Sequence, residues 1–149
     1  MGRRVSGPGD SRRGLLRMLD ANLNRASEGI RAAEDVLRFV HSSGRLSGEA
    51  RDLRHAIRRA VLEAFPVDRL VAARDSGRDP GRGRWRAGRG TTADLLFANL
   101  RRAQESARVL EEGLRLANRP AGVRAMQSAR YRLYGLESAS ARLARRRRP

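Results

Sequence analysis

The chain has no cysteine and no lysine, a single tryptophan at Trp85, and two histidines. Without cysteine there can be no disulfide, no thiolate metal site and no sulfur nucleophile. Without lysine there is no Schiff-base chemistry and no P-loop ammonium to hold a nucleotide phosphate. His41 and His55 follow no metal-ligand spacing, so no zinc site and no Ser-His-Asp arrangement can be built on them. His41 falls at a helix C-terminus, where a cation is mildly favoured, and His55 reads as a surface or edge residue. Long apolar runs are missing too. The arginine-containing start has no hydrophobic stretch behind it of the signal-peptide kind, and later apolar residues come at helical spacing. The expectation is a cytoplasmic protein with no secretion signal and no membrane span.

What the chain has in excess is arginine. All 33 basic residues are Arg, against 16 acidic ones, for a net charge of +17. GC-rich codons explain part of this preference. The excess is unevenly placed: residues 1–13, 74–92 and 142–149 together carry +12, which leaves +5 for the rest. Charge held in such segments is usually a solvated feature to which any polyanion adheres, so specific nucleic-acid binding is the lesser reading.

At 149 residues the chain is one domain's worth. Residues 15–41 place Leu19, Leu23, Ala26, Ile30, Ala33, Leu37 and Val40 at three-and-four spacing, one apolar stripe of a helix. "SSG" ends that helix. Ser47 is a candidate cap for a second helix through Phe65, with Ala50, Leu53, Ile57, Ala60, Val61 and Ala64 inward, and Pro66 stops it. "VDRLVAA" is ambiguous between a helical turn and a strand. Residues 74–91 are a Gly/Arg-rich loop without apolar period, long enough to be functional. Thr91 and Thr92 can cap a third helix supported by Asp94, and Pro120 suits the first turn of a fourth, with Val123, Met126, Leu133, Leu136 and Leu143 on one side.

The third helix repeats the first. "LDANLNRASEGIRAAEDVLRF" at residues 19–39 and "LFANLRRAQESARVLEEGLRL" at residues 96–116 match 77 residues apart, and Arg54 matches Arg130 in the helices that follow. The duplicated unit is therefore a helical hairpin. Neither copy can bury its stripe alone. The expected fold is all-α: a four-helix bundle of two hairpins about an approximate internal two-fold axis, spanning residues 14–141 between a flexible tail at 1–13 and a basic tail at 142–149.

The repeated polar residues carry the functional reading. Arg25, Glu28, Arg31 and Glu34, copied as Arg102, Glu105, Arg108 and Glu111, form a charge ladder whose pairs stabilise a helix by about 0.2–0.5 kcal/mol each. Asn22 lies on the shoulder of the stripe with Arg25 beside it, and Asn99 and Arg102 copy them. A buried amide needs partners, and a nearby guanidinium needs a carboxylate or an anion. Two readings stand: hydrogen bonds across the hairpin junction, or convergence of all four groups in one phosphate-binding cleft near the axis. In the loop, Asp75 and Asp79 are hard oxygen ligands four residues apart, suited to Mg²⁺ bridged to substrate phosphates. Trp85 can stack on a base or merely dock the loop.

Taken together, "LDANLNRASEGIRAAEDVLRF", "LRHAI", "ARDSGRDPG", "ANLRRAQESARVLEEGLRL" and "ARYRLYGLE" resemble a family of helical domains from thiamine biosynthesis, across about residues 15–140. That family, found alone or fused ahead of thiamine-phosphate synthase, is assigned as a second, non-ribokinase type of hydroxymethylpyrimidine-phosphate kinase. The resemblance implies transfer of the γ-phosphoryl of ATP to 4-amino-5-hydroxymethyl-2-methylpyrimidine phosphate, in a stand-alone form. Residues 82–89 are diverged from it. With that reaction in view, Arg25, Arg102 and Arg74 are expected at phosphate oxygens, Asp75 and Asp79 at Mg²⁺, and Asn22 and Asn99 at the aminopyrimidine edge. Asp20 against Phe97, and Gly29 against Ser106, are the differences expected to separate the two halves. The rival readings are a non-catalytic module that partners thiamine-phosphate synthase, an Arg-rich nucleic-acid-binding bundle, and a helical mutase that binds a small dicarboxylate. A homodimer is the mild preference for assembly.

Overall fold

A computed structural model describes residues 8–81, 88 and 90–146. Trp85, and the expectations placed on residues 1–7, 82–87, 89 and 147–149, lie outside the described residues. The order is α1 (Pro8–Asp35), a π-helical turn (Val36–Val40), α2 (Gly44–Ala64), α3 (Val67–Ala72), a 3-10 turn (Ser76–Arg78), α4 (Thr92–Leu116) and α5 (Pro120–Arg146). No strand occurs among the described residues.

α1 packs on α2 and α4, and α5 packs on the same two, so the four long helices close a ring around one core. Every member of the α1 stripe from Leu19 to Leu37 is buried, together with Leu53 and Ile57 of α2, Leu96, Leu100, Leu110 and Leu114 of α4, and Met126, Leu133 and Leu136 of α5. The all-α bundle of two hairpins is what the periodicity predicts. α1 and α4 run antiparallel: Gly29 lies against the Asn99 carbonyl, and Gly113 against Leu19. Between these contacts the pseudo-axis passes near Ala26 and its copy Ala103, both fully buried.

Local chemistry corrects several boundaries. α1 begins at Pro8, before the expected start at residue 15, and α5 reaches Arg146. Ser43 caps α2, accepting from the Leu46 N–H, whereas Ser47 lies inside the helix and is buried. "VDRLVA" is helical, with Leu70 buried beneath it. Thr91 and Asp94 form a capping box at α4; the Thr91 backbone N–H and its hydroxyl both donate to Asp94, which holds that carboxyl below its ordinary range.

The π turn has a specific cause. The two hairpins match 77 residues apart in their first helices but 76 apart beyond the turn, where Ser42 and Asn118 take the same left-handed backbone, φ 49° and 55°. The first hairpin therefore holds one additional residue. A π turn absorbs such a residue without breaking the helix, here with the His41 N–H reaching back to the Val36 carbonyl. The extra residue rotates Val40 off the stripe, so this expected core position is 46 % exposed.

Each hairpin is also riveted by a buried glutamate. Glu34 and its copy Glu111 are 1 % and 0 % exposed. Arg51 and Arg54 of α2 reach Glu34 at 3.1 and 3.4 Å; Gln127 and Arg130 of α5 reach Glu111 at 3.2 and 3.1 Å. The predicted charge ladder thus ends inside the molecule, and the match of Arg54 to Arg130 reflects one ion pair written twice.

Close packing brings Gly29 directly against backbone of the other half. A Cβ there would sit 2.8 Å from the Asn99 carbonyl oxygen, a backbone atom that cannot swing aside. Gly29→Ala is expected to cost about 1–3 kcal/mol in thermal or urea unfolding. Gly135→Ala, in α5 with nothing within 4 Å of the new methyl, is expected to gain about 0.5–1 kcal/mol from helix propensity.

Candidate functional site

α3 and the turn after it give α1 a second neighbour. The bundle buries one face of α1. After Pro66 the chain reverses and lays α3 against α1. Leu70 and Ala73, both buried, anchor this return, and residues 74–79 come to lie over a polar face of α1. Between them is a cavity of about 500 Å³, lined by Gly14, Arg17, Met18, Asp20, Ala21, Asn22, Asn24 and Arg25 from α1 and by Arg74, Asp75, Ser76 and Asp79 from the returning segment.

Five of the seven expected site residues share this cavity: Asn22, Arg25, Arg74, Asp75 and Asp79. Asn99 and Arg102 are not in its lining, so this cavity does not gather all four duplicated groups. The antiparallel packing of α1 on α4 separates the two amides. Asn99 sits opposite Gly29, seven residues and therefore roughly 10 Å along α1 from Asn22. Among the described residues, neither amide bonds across the hairpin junction. Asn22 Nδ2 donates to the Met18 carbonyl and Asn99 Nδ2 to the Leu95 carbonyl, each at 2.9 Å and each four residues back in its own helix. The repeated Asn thus has a shared local role in its helix, and Asn22 also borders this cavity.

The charges in the cavity are divided. Arg74 donates from Nε and Nη2 to the two oxygens of Asp20, the second bond at 2.9 Å. Hydrogen bonding to Asp20, and then its charge, raise the Arg74 pKa further, so this guanidinium stays protonated. Arg17 Nη2 reaches the Asp75 carbonyl at 3.4 Å. Asp79 Oδ1 accepts from the Gly81 N–H at 2.8 Å. No ion pair among the described residues involves Arg17, Arg25, Asp75 or Asp79. Beside the Arg74–Asp20 pair, two further guanidiniums and two further carboxylates therefore border the same space. Such a space suits a phosphate on one side and a divalent cation on the other.

No group of three or more metal-ligating side chains occurs among the described residues. Asp75 and Asp79 fit only a cation that keeps its waters and shares a substrate phosphate, which is how Mg²⁺ is usually held. His41 is buried at the C-terminal end of the π turn and His55 is exposed; neither lines this cavity.

Sequence reasoning missed Arg17 and gave Asp20 no role beyond asymmetry. A signal existed: Gly14, Arg17, Met18, Ala21 and Arg25 recur at helical spacing opposite the core stripe. The second half keeps only part of that face. At 77 residues on, Ala21, Asn22 and Arg25 reappear as Ala98, Asn99 and Arg102, but Arg17 becomes Asp94 and Asp20 becomes Phe97. The described chain thus has the full constellation once.

The model of the ThiD2 family matches residues 17–139, which takes in most of all four long helices and every cavity residue but Gly14. The chain belongs to the ThiD2 family. Relatives of this ThiD2 chain include thiamine-phosphate synthases of Gloeobacter violaceus, 42 % identical over 83 % of this chain and 36 % of the relative, and of Synechocystis, 42 % identical over 83 % of this chain and 35 % of the relative. Another, from Rhodopirellula baltica, is 34 % identical over 82 % of this chain and 33 % of the relative. The chain spans about a third of the length of the relatives it matches. No solved structure matches it. No helix among the described residues of this ThiD2 chain is long and apolar enough to cross a membrane.

Proposed function

We propose that this ThiD2 chain transfers the γ-phosphoryl of ATP to the phosphate of 4-amino-5-hydroxymethyl-2-methylpyrimidine phosphate, giving the pyrophosphate. The observation that carries the reading is the divided cavity, with Arg17 and Arg25 beside Asp75 and Asp79 and no partner for their charges among the described residues. Phosphoryl transfer asks a protein mainly for positioning and charge neutralisation. The attacking group is already an anionic phosphate oxygen, so no general base is required of the chain, and the lack of a histidine in the cavity is no obstacle. Arg17 and Arg25 hold phosphate oxygens and draw two anions together against their repulsion. Asp75 and Asp79 would hold Mg²⁺, which supplies charge neutralisation at the transferred phosphoryl. Asn22 is at the cavity wall to meet the aminopyrimidine edge.

Incubating the chain with Mg-ATP and the pyrimidine phosphate, with ³¹P NMR as readout, tests this. A diphosphate product and ADP in equal amounts are expected, and neither product forming at micromolar enzyme would overturn it. The second reading is a non-catalytic module that partners thiamine-phosphate synthase. It draws on the likeness to thiamine-phosphate synthases more than twice the length of this chain, and it predicts association with that enzyme without turnover. A nucleic-acid-binding bundle is less favoured, because many body arginines are already engaged with carboxylates, as at Glu34 and Glu111.

A further inference from the structure

Arg74 stands in the cavity, yet its guanidinium is engaged. Two of its nitrogens bond the two oxygens of one carboxylate, Asp20, a fork that is strong and geometrically specific. Asp20 is only 6 % exposed, so it has little water to replace Arg74 if the fork opens. Arg74 is also the second residue beyond α3, whose Leu70 is buried, and residues 75–79 follow directly. On the other side of the cavity Arg17 holds the Asp75 carbonyl. The segment that carries Asp75 and Asp79 is therefore tied to α1 at two points. The second half has Phe97 in place of Asp20 and cannot form the fork.

We propose that Asp20 and Arg74 are a positioning pair: their fork pins residues 75–79 over α1 and sets Asp75 and Asp79 opposite Arg17 and Arg25, while Arg74 itself makes no bond to phosphate. Arg17 and Arg25 are then the phosphate-binding cations. This deepens the phosphoryl-transfer reading and rests on it for the ligand.

The two roles open to Arg74 give opposite results for Asp20→Asn. As half of a latch, Arg74 loses its hold when Asp20 is neutralised, and Asp20→Asn, Arg74→Met and the double variant behave alike. As a phosphate ligand, Arg74 would be released by Asp20→Asn toward the anion, and only Arg74→Met would weaken binding. Hydrogen exchange of the ligand-free chain is the first measurement, since it needs no catalysis. The Arg74 and Arg78 amides, bonded to the Val71 and Asp75 carbonyls, are expected to exchange about tenfold faster in all three variants, with amides of the α1 and α4 core unchanged as proof of an intact bundle. Unchanged exchange at Arg74 and Arg78 in Asp20→Asn overturns the latch. Calorimetric titration with Mg-ADP is the second: binding is expected to weaken about tenfold in each single variant, and the double is expected to lie within about twofold of either. Undiminished or tighter binding in Asp20→Asn also overturns it. If the unaltered chain does not bind Mg-ADP, the kinase reading fails, while the exchange result still decides the latch.

Discussion

Arg25→Met is expected to lower kcat/KM for the pyrimidine phosphate about 10²–10³-fold, and Arg102→Met to leave it within about threefold. The residues are copies of each other in the repeat, and both are exposed on the surface of their helices. Their difference is what stands across from them. Arg25 borders the cavity that residues 74–79 close over α1, whereas Arg102 is not part of that lining. A guanidinium aimed at developing phosphate charge in a partly enclosed site is worth far more than one in water. The methionine keeps most of the apolar stem, so the loss reports the charge and its forked donors. Steady-state kinetics of the two variants, with circular dichroism to show that both are folded, checks the contrast. Equal turnover in the two would remove the cavity from the mechanism.

The largest effect on stability is expected from Glu111→Gln, about 2–4 kcal/mol, or roughly 5–12 °C in thermal midpoint for a chain of this size. Glu111 is fully buried and is met by Arg115 at 2.8 Å, Arg130 at 3.1 Å and Gln127 at 3.2 Å. Removing its charge strands those donors, whereas Glu112→Gln next door, 46 % exposed, is expected to cost less than about 0.5 kcal/mol. Burial pushes the Glu111 pKa up, but the bonds from Gln127 and Arg115 and the charges of Arg130 and Arg108 outweigh it, and the net shift is down from the ordinary 4.5. A carboxyl with a depressed folded pKa lends stability that is complete above its unfolded pKa and is lost as pH falls through the folded one. The unaltered chain is therefore expected to lose stability as pH drops below about 4.5, and Glu111→Gln to show a shallower loss over the same range. Urea unfolding at stepped pH measures both slopes.

The two glutamates also show what a one-dimensional reading misses. Glu34 and Glu111 read as the last rungs of a charge ladder, because spacing within a helix tells which residues neighbour each other and not which helix arrives alongside. Arg54 and Arg130 were visible as copies, yet the partner they share in each hairpin became apparent only when α2 and α5 were in place. Val40 is the opposite case. It fits the stripe by count, and a single additional residue in the first hairpin turned it outward. Asn22 and Arg25 were marked as unusual by their repetition, and the cavity includes both. Arg17 and Asp20 carried no repeat to mark them, since their counterparts are Asp94 and Phe97.

Periodicity and duplication, legible in the residues alone, were enough to determine an all-helical bundle of two hairpins, because burying two apolar stripes leaves few other arrangements. Which polar face came to border the cavity was decided by the tertiary structure. Both halves present the same Asn and Arg, but among the described residues only α1 has α3 and residues 74–79 folded back across it, and a charged group gains its chemistry from what encloses it rather than from its place in the chain.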